Sequence, residues 1–135
     1  MKLFVDTSAL VALFVRNDKN HEKAVAIFDD IRMNKIKLCL TDYIFDECIT
    51  TVLSLSNHAT TVQIGDFILS SHMIEFIWLD ESSKLKTWDF FKHYSDKKFS
   101  YTDCSSFIIM KELGLKDYFG FDRHFQQAGF LAYHP

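Results

Sequence analysis

A three-layer α/β/α sandwich around a central parallel sheet is the fold that this sequence predicts, on three observations. Short apolar runs with strand character recur between stretches of helical periodicity. Most of these runs lead into a residue able to cap the next helix. One Pro and four Gly leave no linker between the alternating segments. Strands separated by helices throughout imply parallel pairing with helices on both faces. A length of 135 residues with 48% hydrophobic content suits one core, so residues 1–135 read as a single domain.

Leu3-Phe4-Val5 is a strand apolar on both faces, and Asp6-Thr7-Ser8 then caps a helix running through Ala9 to Phe14. Asn20 caps a second helix, whose Ala24, Ile27, Phe28 and Ile31 share one face. Lys35 to Leu40 alternates as a strand. Thr41-Asp42 caps a helix to about Leu55, and another spans about Ala59 to Ser71, weakened at Gly65. Glu75 to Leu79 is a strand. Asp80-Glu81-Ser82 opens a helix expected to turn Leu85, Trp88 and Phe91 inward. After the polar stretch Ser95 to Tyr101, a helix runs from Thr102 to Leu113 and stops at Gly114. Tyr118 to Phe121 is a strand, Asp122 begins a short helix, and Phe130-Leu131 is a last strand.

Composition excludes several classes of function. No apolar run reaches the roughly 20 residues of a membrane span, and no basic segment precedes the first apolar stretch. The expectation is a cytoplasmic protein. Cys39, Cys48 and Cys104 form an odd set without C-x-x-C spacing, and read as reduced core residues. Six His show no paired helical spacing for zinc, and neither phosphate-binding glycine motif occurs. An Asp-nucleophile phosphatase would need a second Asp where Ser8 stands. A net charge of −3 means that a polyanionic partner must be attracted by bound cations or local lysines such as Lys35, Lys37, Lys97 and Lys98.

Four carboxylates stand out by position. Asp6 follows the first strand, Glu47 lies on the helix after the second, Asp103 is in the first turn of its helix, and Asp122 follows the strand ending at Phe121. Capping alone would account for Asp6, Asp103 and Asp122 taken singly. In a doubly wound sheet, however, those three reach one edge, where ligands bind, and Glu47 can lean over the same crevice. Converging carboxylates repel and raise one another's pKa unless a divalent cation compensates them. Oxygen-only ligands favour Mg²⁺ or Mn²⁺. Asp46 competes with Glu47 for the role, since consecutive helical residues point about 100° apart and only one can face the site.

Phe4-Val5-Asp6-Thr7-Ser8-Ala9, Thr41 through Glu47, Phe99-Ser100-Tyr101-Thr102-Asp103 and Phe121-Asp122-Arg123-His124-Phe125 resemble, in order and spacing, the PIN-domain nucleases, and within them the VapC-type toxins of toxin–antitoxin pairs. The resemblance implies a PIN-like fold and a metal-dependent endoribonuclease. Asp6, Glu47, Asp103 and Asp122 would hold Mg²⁺ or Mn²⁺, with Asp6 and Asp103 as direct ligands and Glu47 and Asp122 acting through water or a second ion. Attack by metal-activated water implies 5′-phosphate and 3′-hydroxyl products. Thr7, Ser8 and Thr102 would orient the ligands or the phosphate. One departure is Gly120, where many relatives carry a Thr.

The same resemblance implies RNA as substrate and an antitoxin as partner. Leu10, Val11, Leu13, Phe14 and Val15, with Tyr43, Phe45 and Ile49, offer apolar material for an antitoxin groove, for a homodimer contact or simply for the core. Alternatives are an RNA-processing nuclease of the same family without an antitoxin, and a catalytically silent PIN-like binding module.

Overall fold

The computed structural model describes residues 1–135. Its five strands are β1 (Lys2–Val5), β2 (Lys37–Thr41), β3 (Ile74–Ile77), β4 (Asp117–Phe119) and β5 (Leu131–Ala132). They form one sheet in the order β3-β2-β1-β4-β5, with every pair parallel. The helices are α1 (Thr7–Phe14), α2 (His21–Met33), α3 (Asp42–Leu55), α4 (His58–Ser70), α5 (Glu81–His93), α6 (Tyr101–Glu112) and α7 (Arg123–Gln127). The chain winds outward from β1 through β2 to β3, then returns to lay β4 and β5 on the other side of β1. With right-handed crossovers, α1 to α4 and α5 to α7 therefore cover opposite faces. The result is the expected three-layer α/β/α sandwich.

Leu3, Phe4 and Val5 are fully buried, as the apolar run at the start requires of a strand at the centre of the sheet. The core comprises 28 buried hydrophobic residues. Its aromatic part fixes the small helix that matters most to the site. Phe125 of α7 stacks on Tyr118 at 4.7 Å and meets Phe107 edge-on at 5.0 Å. Truncating a buried Phe of this kind costs about 3–5 kcal/mol, so α7 is firmly seated. All three cysteines are free and buried, as expected.

Most boundaries agree with the sequence reading within one or two residues, and the differences have local causes. β2 begins at Lys37 because Lys35 takes a positive φ of 54° at the turn. β4 ends at Phe119 because Phe121 leaves the sheet and donates its backbone N–H to Ser8 Oγ. Asn20 stands at the cap of α2 but its side chain makes no capping bond; Asp18 instead accepts from the Asn20 N–H. Gly65 lies inside α4, facing Ile49 and Phe45 of α3, and a Cβ there would meet them only at ordinary contact distance.

One expectation is overturned. Leu85, Trp88 and Phe91 do not turn inward: they are 61%, 50% and 40% exposed. The buried face of α5 is Ser83 and Thr87. Small polar side chains let α5 lie close on α6, with Ser83 Oγ donating to Glu112 and Thr87 Oγ1 to the Ser83 carbonyl. Those hydrogen bonds remove the penalty of burying hydroxyls. Trp88 and Phe91 stack on each other outside, beside Tyr101.

Helix α1 is absorbed by the fold. Leu10 and Val11 are buried, while Leu13, Phe14 and Val15 pack partly against the core, Phe14 edge-on to Phe67 of α4. Open apolar surface lies instead between α3 and α4, in a cavity of about 400 Å³ lined by Phe45, Ile49, Leu53, Val62 and Leu69. No helix is long and apolar enough to cross a membrane.

Candidate active site

β1 and β4 lie side by side, yet α1 and α7, which follow them, go to opposite faces. A crevice opens at the carboxyl edge of the sheet wherever this happens. Asp6 directly follows β1 and donates its N–H to the Phe119 carbonyl at 2.9 Å, while Asp122 comes after β4. Here a cleft of about 590 Å³ contains Asp6, Glu47, Asp103 and Asp122 together, with Thr7 and Ser8 beside them.

Local capping aims each Asp. The Asp6 Oδ2 accepts from the Ser8 N–H at 3.3 Å and the Ser8 hydroxyl at 2.6 Å. In a reciprocal capping box, Ser100 Oγ accepts from the Asp103 N–H, and Asp103 Oδ2 accepts from the Ser100 N–H at 3.1 Å. The Asp122 Oδ1 accepts from the His124 N–H at 2.9 Å. In all three, one carboxylate oxygen is tied to a helix start and the other has no protein partner. Capping and ligand-holding are therefore compatible: each Asp does the first with one oxygen and is left free for the second.

Glu47, on α3, is half-buried and Asp46 is exposed, so the helix rotation resolves that ambiguity in favour of Glu47. The Thr7 hydroxyl approaches the Glu47 carboxylate and favours its ionised form. It does not reach hydrogen-bond geometry, and Thr7 Oγ1 is buried with no partner at all. A buried hydroxyl in that condition calls for a ligand or water.

The electrostatics are those of an uncompensated anionic site. Burial pushes the Asp6 carboxyl up to about 7, with the Ser8 hydroxyl opposing and the charges of Asp103 and Asp122 adding to the rise. Burial also raises Asp103, against the stabilising Ser100 N–H and His124, and raises Glu47. The thiols beside the site are inert: burial pushes Cys48 up to about 12 and Cys104 up to about 11.

Thr102 is not among the residues lining the cleft; its carbonyl accepts from Ser105 and Ser106, and Ser100 lines the cleft instead. The structure also adds residues that sequence reasoning did not place there. Asp18, Lys19 and Asn20 arrive from the α1–α2 turn, and Phe121 from the segment after β4. Nothing in their local sequence distinguishes them from other turn residues. His124 differs from these: its place two residues after Asp122 already points to the site in the sequence, and in the structure its Nδ1 lies 2.8 Å from Asp103 Oδ2.

Together, the doubly wound parallel sheet and the four carboxylates in the cleft at its switch point define a class of fold that gathers acidic side chains from separate parts of a chain. The family follows from the sequence match: the PIN domain model covers residues 3–131, and the chain belongs to that family. It is 25% identical over 135 residues to the 23S rRNA-specific endonuclease VapC20 of Mycobacterium tuberculosis, covering 98% of each chain. It is 29% identical over 118 residues to a VapC ribonuclease of Archaeoglobus fulgidus, covering 86% of this chain and 74% of that one. The crystal structure of M. tuberculosis VapC20, described as a sarcin-ricin loop cleaving toxin, superposes with a TM-score of 0.91 at 22% identity, over 98% of this chain and 99% of the other. The structure of VapBC2 from Rickettsia felis, bound to a promoter DNA fragment, gives 0.74 at 10% identity, over 98% of each chain. These last two likenesses concern the fold.

Proposed function

We propose that the protein is a metal-dependent endoribonuclease and the toxin of a toxin–antitoxin pair, acting in the cytoplasm as one domain over residues 1–135. The observation that carries this reading is the convergence of four carboxylates from four separate segments, three of them holding one oxygen free. Similarity to relatives described as a 23S rRNA-specific endonuclease and a VapC ribonuclease supports RNA as the substrate class.

The residues present fit Mg²⁺ or Mn²⁺. Their donors are all oxygens, their charges are unbalanced, and the Thr7 hydroxyl is left without a partner beside them. Asp6 and Asp103 would hold the ion directly, with Glu47 and Asp122 through water or at a second ion. Such an ion would lower the pKa of a water bound to it and offset the charge that develops on phosphoryl oxygens. Asp6 and Asp103 are pre-aimed by Ser8 and Ser100, so little reorganisation is needed on binding. Lys19, the one lysine lining the cleft, is exposed and has no carboxylate partner within ion-pair distance, which suits it to a substrate phosphate.

For the antitoxin, the apolar cavity between α3 and α4 offers a surface for the apolar face of an amphipathic helix. A basic side chain from the same partner could compensate the carboxylates in place of metal. The test is co-expression with the neighbouring small gene, affinity purification and an assay of RNA cleavage by the free protein and the complex. Binding with loss of cleavage supports the reading. Cleavage without any bound neighbour would leave an RNA-processing nuclease, and no metal-dependent cleavage would remove the enzyme altogether.

A further inference from the structure

His124 makes contacts that the assignment of four carboxylates does not use. Its Nδ1 lies 2.8 Å from Asp103 Oδ2 and 3.5 Å from Asp122 Oδ1, while its own backbone N–H caps onto that same Asp122 oxygen. The ring is held edge-on against Phe99, at 5.7 Å between centroids and 74° between planes. Phe99 is buried, and the next residue, Ser100, supplies the other donor to Asp103 Oδ2. One oxygen of Asp103 is thus clamped from two sides, by the N–H that starts α6 and by an imidazole carried on α7.

We infer that His124 is a positioning residue for the proposed metal site: its Nδ1–H holds Asp103 Oδ2, so that Oδ1 faces the cleft, and it locks the start of α7 to the start of α6. The inference rests on the metal-dependent reading above. Without the imidazole, the Asp103 carboxylate keeps only the Ser100 N–H, which restrains one oxygen but leaves the carboxylate plane free to turn. Outer hydrogen bonds of this kind are typically worth about 10- to 100-fold in metal affinity or activity. The same three residues permit a competing role. One ligand atom each from Asp103, Asp122 and His124 falls within 4.8 Å of the others, so the imidazole could be a ligand itself.

The two roles separate by which atom of the side chain is needed. In His124→Asn the amide nitrogen occupies about the place of Nδ1, whereas in His124→Gln it reaches about the place of Nε2. Mn²⁺ binding to the chelator-stripped full chain should weaken about tenfold in His124→Leu and His124→Gln and recover to within about threefold in His124→Asn. The KM for RNA should stay near wild type in all three while kcat at subsaturating Mn²⁺ follows the affinity. Pulsed EPR of Mn²⁺-loaded wild-type protein should show no directly coordinated imidazole nitrogen. A nitrogen coupling would overturn the positioning role in favour of ligation, and equal Mn²⁺ affinity in the Asn and Gln variants would remove the Nδ1 contact as its cause. That pair keeps the question answerable if His124→Leu fails to fold. Asp103→Asn is the control: wild-type affinity there would defeat the metal reading itself, whereas lost affinity there with none lost at His124 would defeat only this inference.

Discussion

Gly120 and Asp6 are pressed together so closely that a Cβ added to Gly120 would stand 2.9 Å from the Asp6 Cβ. The Tyr118 ring closes in on the same point at 3.1 Å. The glycine therefore serves close packing rather than an unusual backbone angle. It stands where the resembling family often has Thr, and here a larger residue must push the site Asp or the buried Tyr aside. Gly120→Ala should cost about 1–3 kcal/mol by overpacking, and Gly120→Thr more, with cleavage falling further than stability alone explains. Denaturant unfolding and RNA cleavage measured side by side would check it; a Gly120→Thr enzyme with wild-type activity would show that Asp6 is not held by this contact.

Chelation and carboxylate removal form the second prediction. RNA cleavage should need Mg²⁺ or Mn²⁺ and stop in EDTA, and Asp6→Asn or Asp103→Asn should abolish it without loss of helical circular dichroism. Undiminished cleavage in excess chelator would exclude the proposed mechanism.

The third concerns pH. The Asp6 carboxyl lies near 7 in the fold against an ordinary value of 3.8. The folded protein therefore binds a proton that the unfolded chain has already released between about pH 4 and 7. The metal-free protein should lose stability as pH rises through that window, by up to about 4 kcal/mol from this one group. Below pH 4 both states are protonated and the effect vanishes. Asp6→Asn should flatten the profile and raise the melting temperature above pH 7, while Mn²⁺ should stabilise the wild type most at the same high pH. Calorimetry with and without metal across pH 4–8 would read it.

The fourth is about substrate contact. Lys19→Ala should raise the KM for RNA several-fold with kcat little changed, and reduce the salt dependence of binding by about one phosphate contact. A fall in kcat at constant KM would place Lys19 in the chemistry instead of at the rim.

Product ends give the fifth. Cleavage should leave 5′-phosphates that ligate directly, without prior kinase treatment. A 2′,3′-cyclic phosphate would mean attack by the ribose hydroxyl and would replace water as the nucleophile.

The sequence by itself determined the alternation of strands and helices and the arrival of Asp6, Asp103 and Asp122 at helix starts, because apolar periodicity and capping are local properties. Leu3-Phe4-Val5 was legible as a buried strand and Asp103 as a first-turn residue of a helix from Thr102, whereas the capping box by which Ser100 opens that helix belongs to the structure. Only the tertiary structure decided which side of each helix faces what. On α5 the apolar stripe of Leu85, Trp88 and Phe91 gave way to Ser83 and Thr87, because close packing on α6 with satisfied hydroxyls favoured small side chains. On α3 the choice of Glu47 over Asp46 came from the same rotation about a helix axis. Lys19, the clamp of His124 on Asp103 across 21 residues, and the approach of Gly120 to Asp6 across 114 all join parts of the chain that share no local pattern. Such contacts are set by how the crossovers stack on the sheet, and hydrophobic burial, which drives that stacking, is non-directional and leaves no mark on the residues it happens to bring together.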